Sequence, residues 1–126
     1  MICGAGVDVA PIARVARLVR DHRPQIARIF TASEVTYCDA ARAFRRDGRY
    51  AAAFAAKEAV LKALGTGWRS DLEWSDIETR GASAGAPVEL SGGVLREAER
   101  QGRVRVFVSA AVTSANAIAA AVAERD

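Results

Sequence analysis

The residues best suited by type and spacing to do chemistry lie in one run, Phe54-Ala-Ala-Lys-Glu-Ala-Val-Leu-Lys-Ala-Leu-Gly-Thr-Gly67. On a helix, Glu58 and Lys62 stand four residues apart, one turn above the other on one face, while Phe54, Leu61 and Leu64 supply apolar surface to bury. Gly65 can stop that helix in a left-handed conformation, and Gly67 follows two residues later. A carboxylate and an ammonium on a face that ends in Gly65-Thr66-Gly67 could hold together a metal ion, a phosphate and the backbone of a nucleotide ligand. The competing structural reading is an i,i+4 Glu–Lys pair on a solvated helix with a glycine cap.

A second candidate, Asp8, lies in Gly6-Val7-Asp8-Val9-Ala10-Pro11. Residues Ile2 to Val9 are apolar and interrupted by glycine, which predicts a first strand that delivers the aspartate at its end. Pro11 suits the first turn of a following helix, where its missing N–H costs nothing. Through about Arg20, Ile12, Val15, Ala16 and Val19 make an apolar stripe, and Arg14, Arg17 and Arg20 recur at helical spacing on another face. Those arginines fit either a solvated face or a docking strip for an acidic protein.

The remaining elements must position these groups. His22 to Pro24 breaks the first helix, and His22, the one histidine, reads as a surface residue. After a turn or two at Gln25 to Phe30, Thr31 and Ser33 offer caps for a short helix from Ser33 to about Arg42. Arg42, Arg45, Arg46 and Arg49 cluster around Asp47-Gly48, a turn signal. Alone, that cluster is a solvated loop; beside a bound nucleotide it would pair with phosphate through bidentate contacts. The central helix is expected from about Tyr50 to Leu64, then a polar connection at 68–71 and a strand from Trp74 to Arg80. A turn-rich loop at 81–87 leads to a short strand, Val88 to Leu90, and a helix from Ser91 or Gly92 to about Gln101 with Val94, Leu95 and Ala98 facing inward. Val104, Val106 and Val108 alternate with Arg103, Arg105 and Phe107, a strand pattern. Ala115 to Val122 reads as a last strand, with helix an alternative because of its alanines. The order predicts one α+β domain over residues 1–126, with helices packed on one face of a mostly antiparallel sheet.

Composition narrows the function classes. With 51% hydrophobic and 26% charged residues, the chain of 126 is globular rather than disordered, and it is small enough that a pocket between subunits is attractive. Abundant alanine gives a core of thin layers, so an uncovered sheet face would favour self-association. The net charge of +3 is carried almost wholly by arginine, lysine appearing only at Lys57 and Lys62. That excess suits an acidic protein or a phosphate-rich ligand but is too small and dispersed to argue for nucleic acid. Cys3 and Cys38 follow no metal-ligand spacing, and reduced thiols are the expectation. With no leader pattern and no apolar run of membrane-spanning length, a cytoplasmic location is expected, without membrane partners.

Taken together, Gly6-x-Asp8 and the Phe-x-x-Lys-Glu-x-x-x-Lys-Ala-x-Gly-Thr-Gly run resemble the holo-acyl-carrier-protein synthase family of 4'-phosphopantetheinyl transferases, over nearly the whole chain. The resemblance implies the transferase fold and a phosphoryl transfer: the phosphopantetheine arm of coenzyme A moves to a serine of an apo acyl carrier protein, releasing 3',5'-ADP. By the same resemblance Asp8 and Glu58 hold Mg²⁺, and Glu58, or a water it orients, takes the serine proton. Lys62 would stabilise the leaving phosphate oxygen, and Lys57 would touch the nucleotide phosphates or the region of the carrier serine. Gly65, Thr66 and Gly67 would bring backbone, and the Thr66 hydroxyl as donor, to coenzyme A, with Arg45 and Arg49 available for its phosphates. Arg14 and Arg17 correspond to the basic surface that meets an acidic acyl carrier protein. The family's short members commonly form homotrimers with each site between neighbours.

Two positions depart from the pattern. Ala53 stands where members usually carry an arginine, and Ser109-Ala110-Ala111-Val112 stands where they usually end in histidine. Losing two charge-assisted contacts to phosphate costs about 3 to 6 kcal/mol unless Arg45, Arg46 or Arg49 compensates. The alternative function is therefore a non-catalytic module of the same fold that binds a carrier protein or coenzyme A. The carrier implied is one of fatty acid biosynthesis or of secondary metabolism.

Overall fold

The computed structural model describes residues 1–80 and 85–126. Strand β1 (Ile2–Pro11) leads into helix α1 (Ile12–Asp21), a 3-10 segment at Arg23–Arg28, α2 (Ala32–Asp39) and the long α3 (Ala43–Ala63). A 3-10 turn (Trp74–Asp76), β2 (Ile77–Glu78), β3 (Glu89–Leu90), α4 (Gly92–Arg100), β4 (Arg105–Val112) and β5 (Asn116–Glu124) complete the chain. β1, β5 and β4 form an antiparallel sheet in that spatial order, and β2 pairs antiparallel with β3. Helix α3 lies across one face of the three-stranded sheet, touching all three strands.

Small side chains let that helix come close. β5 turns Ala117, Ala119, Ala121 and Ala123 inward, all buried, and Ile118 and Val122 outward. Its period of two agrees with a strand; the neighbours β1 and β4 supply hydrogen bonds along both edges, and so its alanines do not make it a helix. In β1, a methyl group on Gly4 would collide with the Ala63 carbonyl, and one on Gly6 with the Ala59 carbonyl. β1 therefore rides on the backbone of α3, which is what brings its Asp8 to the helix.

Several expected boundaries move. Asp47-Gly48 is not a turn: α3 begins at Ala43, seven residues earlier than expected, and Gly48 is buried within it. A helical glycine costs about 1 kcal/mol relative to alanine. Here its bare surface faces the Val112 side chain, which would lie 3.3 Å from an added Cβ, so packing of the β4 end uses the position. Trp74 to Arg80 forms a 3-10 turn and a two-residue strand, because the Trp74 and Ile77 carbonyls accept from the buried Lys57 ammonium rather than from a neighbouring strand. Leu95 is exposed on α4 while Val94 and Ala98 are buried. α2 starts one residue early, with Thr31 and Glu34 in a reciprocal capping box, and ends at Asp39. Of the loop expected at 81–87, residues 81–84 lie outside the described residues. Cys3 is exposed, Cys38 is buried, and both are free thiols. No helix among the described residues is long and apolar enough to cross a membrane.

Candidate functional site

Phe54 and Glu58 on α3, Asp8 on β1, and Arg14, Val15 and Leu18 on α1 line one open cleft of about 430 Å³. The two carboxylates, fifty residues apart in sequence, thus face a common space. Asp8 reaches it because β1 packs directly on α3: an added Gly6 Cβ would lie 2.7 Å from the Lys62 Cβ. Pro11 then turns the chain into α1, whose Arg14 lines the cleft. Arg17 is exposed on the same helix but does not line the cleft.

Lys62 Nζ lies 3.0 Å from Asp8 Oδ1 and 3.0 Å from the Val7 carbonyl oxygen, so its ammonium bridges α3 to β1. The simple i,i+4 helix pair is not what forms here: Lys62 takes Asp8, and Glu58 Oε1 accepts from the Trp74 indole N–H at 3.1 Å. Trp74 carried no periodic signal that marked it for the site. It is stacked between Phe54 and Trp68, with ring centroids 6.4 and 5.8 Å away.

Lys57 is corrected. Its side chain is 0% exposed and its Nζ lies 2.7 Å from Glu34 Oε1, with the Trp74 and Ile77 carbonyls as further acceptors. It therefore cannot meet a phosphate or a carrier protein. Burial pulls its ammonium below the usual lysine range, opposed by the Glu34 carboxylate. Glu34, which no candidate-site motif in the sequence marks, also accepts from the Thr31 backbone and from the Thr79 backbone and hydroxyl.

Gly65 and Gly67 both take positive φ, +76° and +57°, and close the end of α3. The Thr66 hydroxyl is within hydrogen-bond distance of the Gly67 carbonyl at 2.8 Å, so this donor is engaged within its own turn. None of Gly65, Thr66 and Gly67 lines the Asp8–Glu58 cleft.

Arg45 and Arg49 lie on a different side of α3, in a larger open cleft of about 700 Å³. Arg49 donates to the Tyr37 carbonyl at 2.6 Å and stacks 4.0 Å over the Tyr37 ring, which also carries the Arg80 guanidinium at 3.7 Å. Ala53 and Val112 line this same cleft, so both departures from the family pattern fall beside Arg45 and Arg49.

The family model of the 4'-phosphopantetheinyl transferase superfamily matches residues 4–122. The chain belongs to this superfamily. It is 40% identical to a holo-[acyl-carrier-protein] synthase of Solibacter usitatus, over 98% of this chain and 99% of that one. Identity to the synthase of the same name from Geobacter sulfurreducens is 41%, over 99% of each chain. Among solved structures, a Bacillus anthracis holo-(acyl-carrier-protein) synthase in complex with CoA (3',5'-ADP) superposes with a TM-score of 0.79 at 28% identity, covering 100% of this chain and 99% of that one. The Helicobacter pylori synthase in complex with coenzyme A gives 0.77 at 26% identity, covering 95% and 99%. The transferase fold, the α+β class and the expectation of a transferase enzyme all hold.

In this transferase, the cleft's donor set suits a small hard cation. Among the described residues no group of three or more His, Cys, Asp and Glu side chains gathers to cage a metal. Two carboxylates are present instead, each with one oxygen bonded to protein, Asp8 to Lys62 and Glu58 to Trp74. Mg²⁺ commonly binds through one or two carboxylates, keeping water and substrate phosphate as its other ligands.

Proposed function

We propose that the chain transfers the 4'-phosphopantetheine moiety of coenzyme A to a serine of an apo acyl carrier protein, with release of 3',5'-ADP. The observation that carries this reading is the meeting of Asp8, Glu58 and Arg14 in one cleft, with Lys62 ion-paired to Asp8. The reading draws its donor and acceptor from the relatives: synthases of acyl carrier protein, two of them solved with coenzyme A or its nucleotide.

Asp8 and Glu58 would hold Mg²⁺, which supplies charge neutralisation at the diphosphate when bound. The serine oxygen forms a bond to the pantetheine-bearing phosphorus while the diphosphate P–O bond breaks, its electron pair leaving on 3',5'-ADP. Glu58, or a water it orients, accepts the serine proton. Lys62, 48% exposed, can turn from Asp8 toward the leaving phosphate oxygen. Arg14 and Arg17 present a basic face to an acidic carrier, and Arg45 and Arg49 supply cations for nucleotide phosphates in the cleft that lacks the usual arginine and histidine. A non-catalytic module has no need of the Lys62–Asp8 bridge or of a second carboxylate beside it.

The reading includes a homotrimer and the cytoplasmic location expected from the sequence. Supporting self-association, the sheet face away from α3 carries an exposed apolar patch. Val7 and Val9 of β1 stand exposed opposite Ala120 and Ile118 of β5, and Val122 lies between Ala5 and Phe107.

The test is incubation of the purified protein with coenzyme A, Mg²⁺ and an apo acyl carrier protein, followed by intact mass spectrometry of the carrier. The expected result is a gain of one phosphopantetheine, lost with chelator and in Glu58→Ala and Asp8→Ala. No gain across several carriers, with coenzyme A binding also absent, would overturn the reading.

A further inference from the structure

Adjacent residues of α3 grip the same short segment in two ways. Lys57 Nζ binds its backbone, at the Trp74 carbonyl (3.1 Å) and the Ile77 carbonyl, and Glu58 Oε1 accepts from its side chain, the Trp74 indole N–H. The first grip is buried and fully partnered: Lys57 and Glu34 are 0% and 1% exposed and are ion-paired at 2.7 Å, and Thr31 and Thr79 donate to the same carboxylate. The second is made by Glu58, which lines the Asp8–Glu58 cleft, and is, among the described residues, the hydrogen bond the structure gives Glu58.

We infer that Trp74 is a positioning residue for Glu58: its indole N–H, fixed by the buried Lys57–Glu34 anchor beneath it, aims the Glu58 carboxylate into the cleft. This rests on the proposed role of Glu58. The indole is restrained from three sides. Its own carbonyl is tied to Lys57, and its ring lies between Phe54, which itself lines the cleft, and Trp68. A glutamate on a helix otherwise swings about three side-chain torsions. A donor on Oε1 leaves Oε2 to face the cleft and selects the rotamer that points it there. Such outer contacts to a metal-ligating carboxylate typically change metal affinity or activity 10- to 100-fold when removed. The Lys57-Glu58 pair thus divides its work, one side chain anchoring the segment that aims the other.

Trp74→Phe keeps the stacked ring and deletes the donor. The expected outcome is an unchanged melting temperature with apparent Mg²⁺ affinity in the transferase assay lowered about 10- to 100-fold. Direct titration of Mn²⁺ in the presence of coenzyme A, read by calorimetry, should show the same loss. A parent-like metal affinity in Trp74→Phe, where Glu58→Gln loses it, would overturn the positioning role alone. A parent-like Glu58→Gln would remove the role of Glu58 and this inference with it.

A second measurement does not depend on that variant's folding. The chain has two tryptophans, Trp68 and Trp74, so ¹⁵N spectra contain two indole N–H resonances, assigned with Trp68→Phe. The Trp74 resonance should exchange with solvent more slowly than that of Trp68, and should shift in Glu58→Gln and on adding Mg²⁺ with coenzyme A. If it exchanges as fast as Trp68 and is unmoved by Glu58→Gln, the hydrogen bond and the inference both fail.

Discussion

Lys62 reaches from α3 to Asp8 on β1, Nζ to Oδ1 at 3.0 Å, and joins two residues that lie 54 positions apart in the sequence. The ammonium is 48% exposed and the aspartate side chain 16%, so the pair is a site contact rather than a core support. As a stability term an ion pair of this exposure contributes little. Lys62→Met should therefore melt within a few degrees of the parent while lowering kcat about 10²- to 10³-fold, the loss expected when one charge-stabilising group is removed. Parallel thermal melts and initial rates check this, and equal rates would remove Lys62 from the chemistry.

Gly6 sits where β1 touches α3, and an added Cβ there would press on the Ala59 carbonyl and the Lys62 Cβ. Neither the helix backbone nor the strand pairing can yield cheaply. Gly6→Ala should destabilise by about 1 to 3 kcal/mol or more and displace Asp8 from Glu58. Urea unfolding and metal titration on the same sample should both weaken; loss of stability alone, with metal binding intact, would separate the packing from the site.

The Glu34–Lys57 pair is buried, and either half alone is an uncompensated charge. Lys57→Met should cost about 3 to 5 kcal/mol, while Glu34→Leu combined with Lys57→Met should recover part of that loss. A double-mutant cycle in urea measures it. If Lys57 instead served as a ligand group, Lys57→Met would lower activity without changing the unfolding midpoint.

Arg49 lines the cleft in which Ala53 and Val112 replace the arginine and histidine usual in the family pattern. Arg49→Ala should weaken coenzyme A binding roughly 10- to 100-fold if its guanidinium replaces one charge-assisted contact. Calorimetric titration with coenzyme A and with dephospho-coenzyme A decides which phosphate it meets, and an unchanged Kd for both would exclude the compensation.

Glu97 on α4 accepts from Arg100 and Gln101 and pairs with Arg69, and these contacts, that of Arg100 foremost, hold its carboxyl down to about 2. In the unfolded chain it titrates near the ordinary glutamate value, so between that value and about 2 the unfolded state binds the extra proton. Stability from this cluster is complete above the ordinary value and is lost as pH falls toward 2. Glu97→Gln should flatten the acid limb of the stability curve and leave neutral-pH activity unchanged, as seen in melts from pH 7 to pH 2.5.

Local patterns along the chain set the class of the fold and the identity of the candidate groups. Alternation in Val104 to Val108, the amphipathic first helix and the glycine stop after α3 are local signals, set by period and by φ, and they survive in the structure. The Gly-x-Asp and Lys-Glu-x-x-x-Lys motifs likewise named Asp8, Glu58 and Lys62, because residue type and spacing along one element are written in the chain. Which partners those groups take follows from long-range packing. Lys57 and Glu58 are adjacent and equally polar, yet one is sealed against Glu34 and the other opens to the cleft, since neighbours on a helix point about 100° apart and only packing says which direction is solvent. Asp47-Gly48 carries a turn's composition but lies within α3, where Val112, more than sixty residues later, packs against Gly48. Trp74 joins the site through a single indole hydrogen bond, a contact fixed by the burial of Lys57 beneath its backbone and therefore by the fold rather than by any pattern in the sequence.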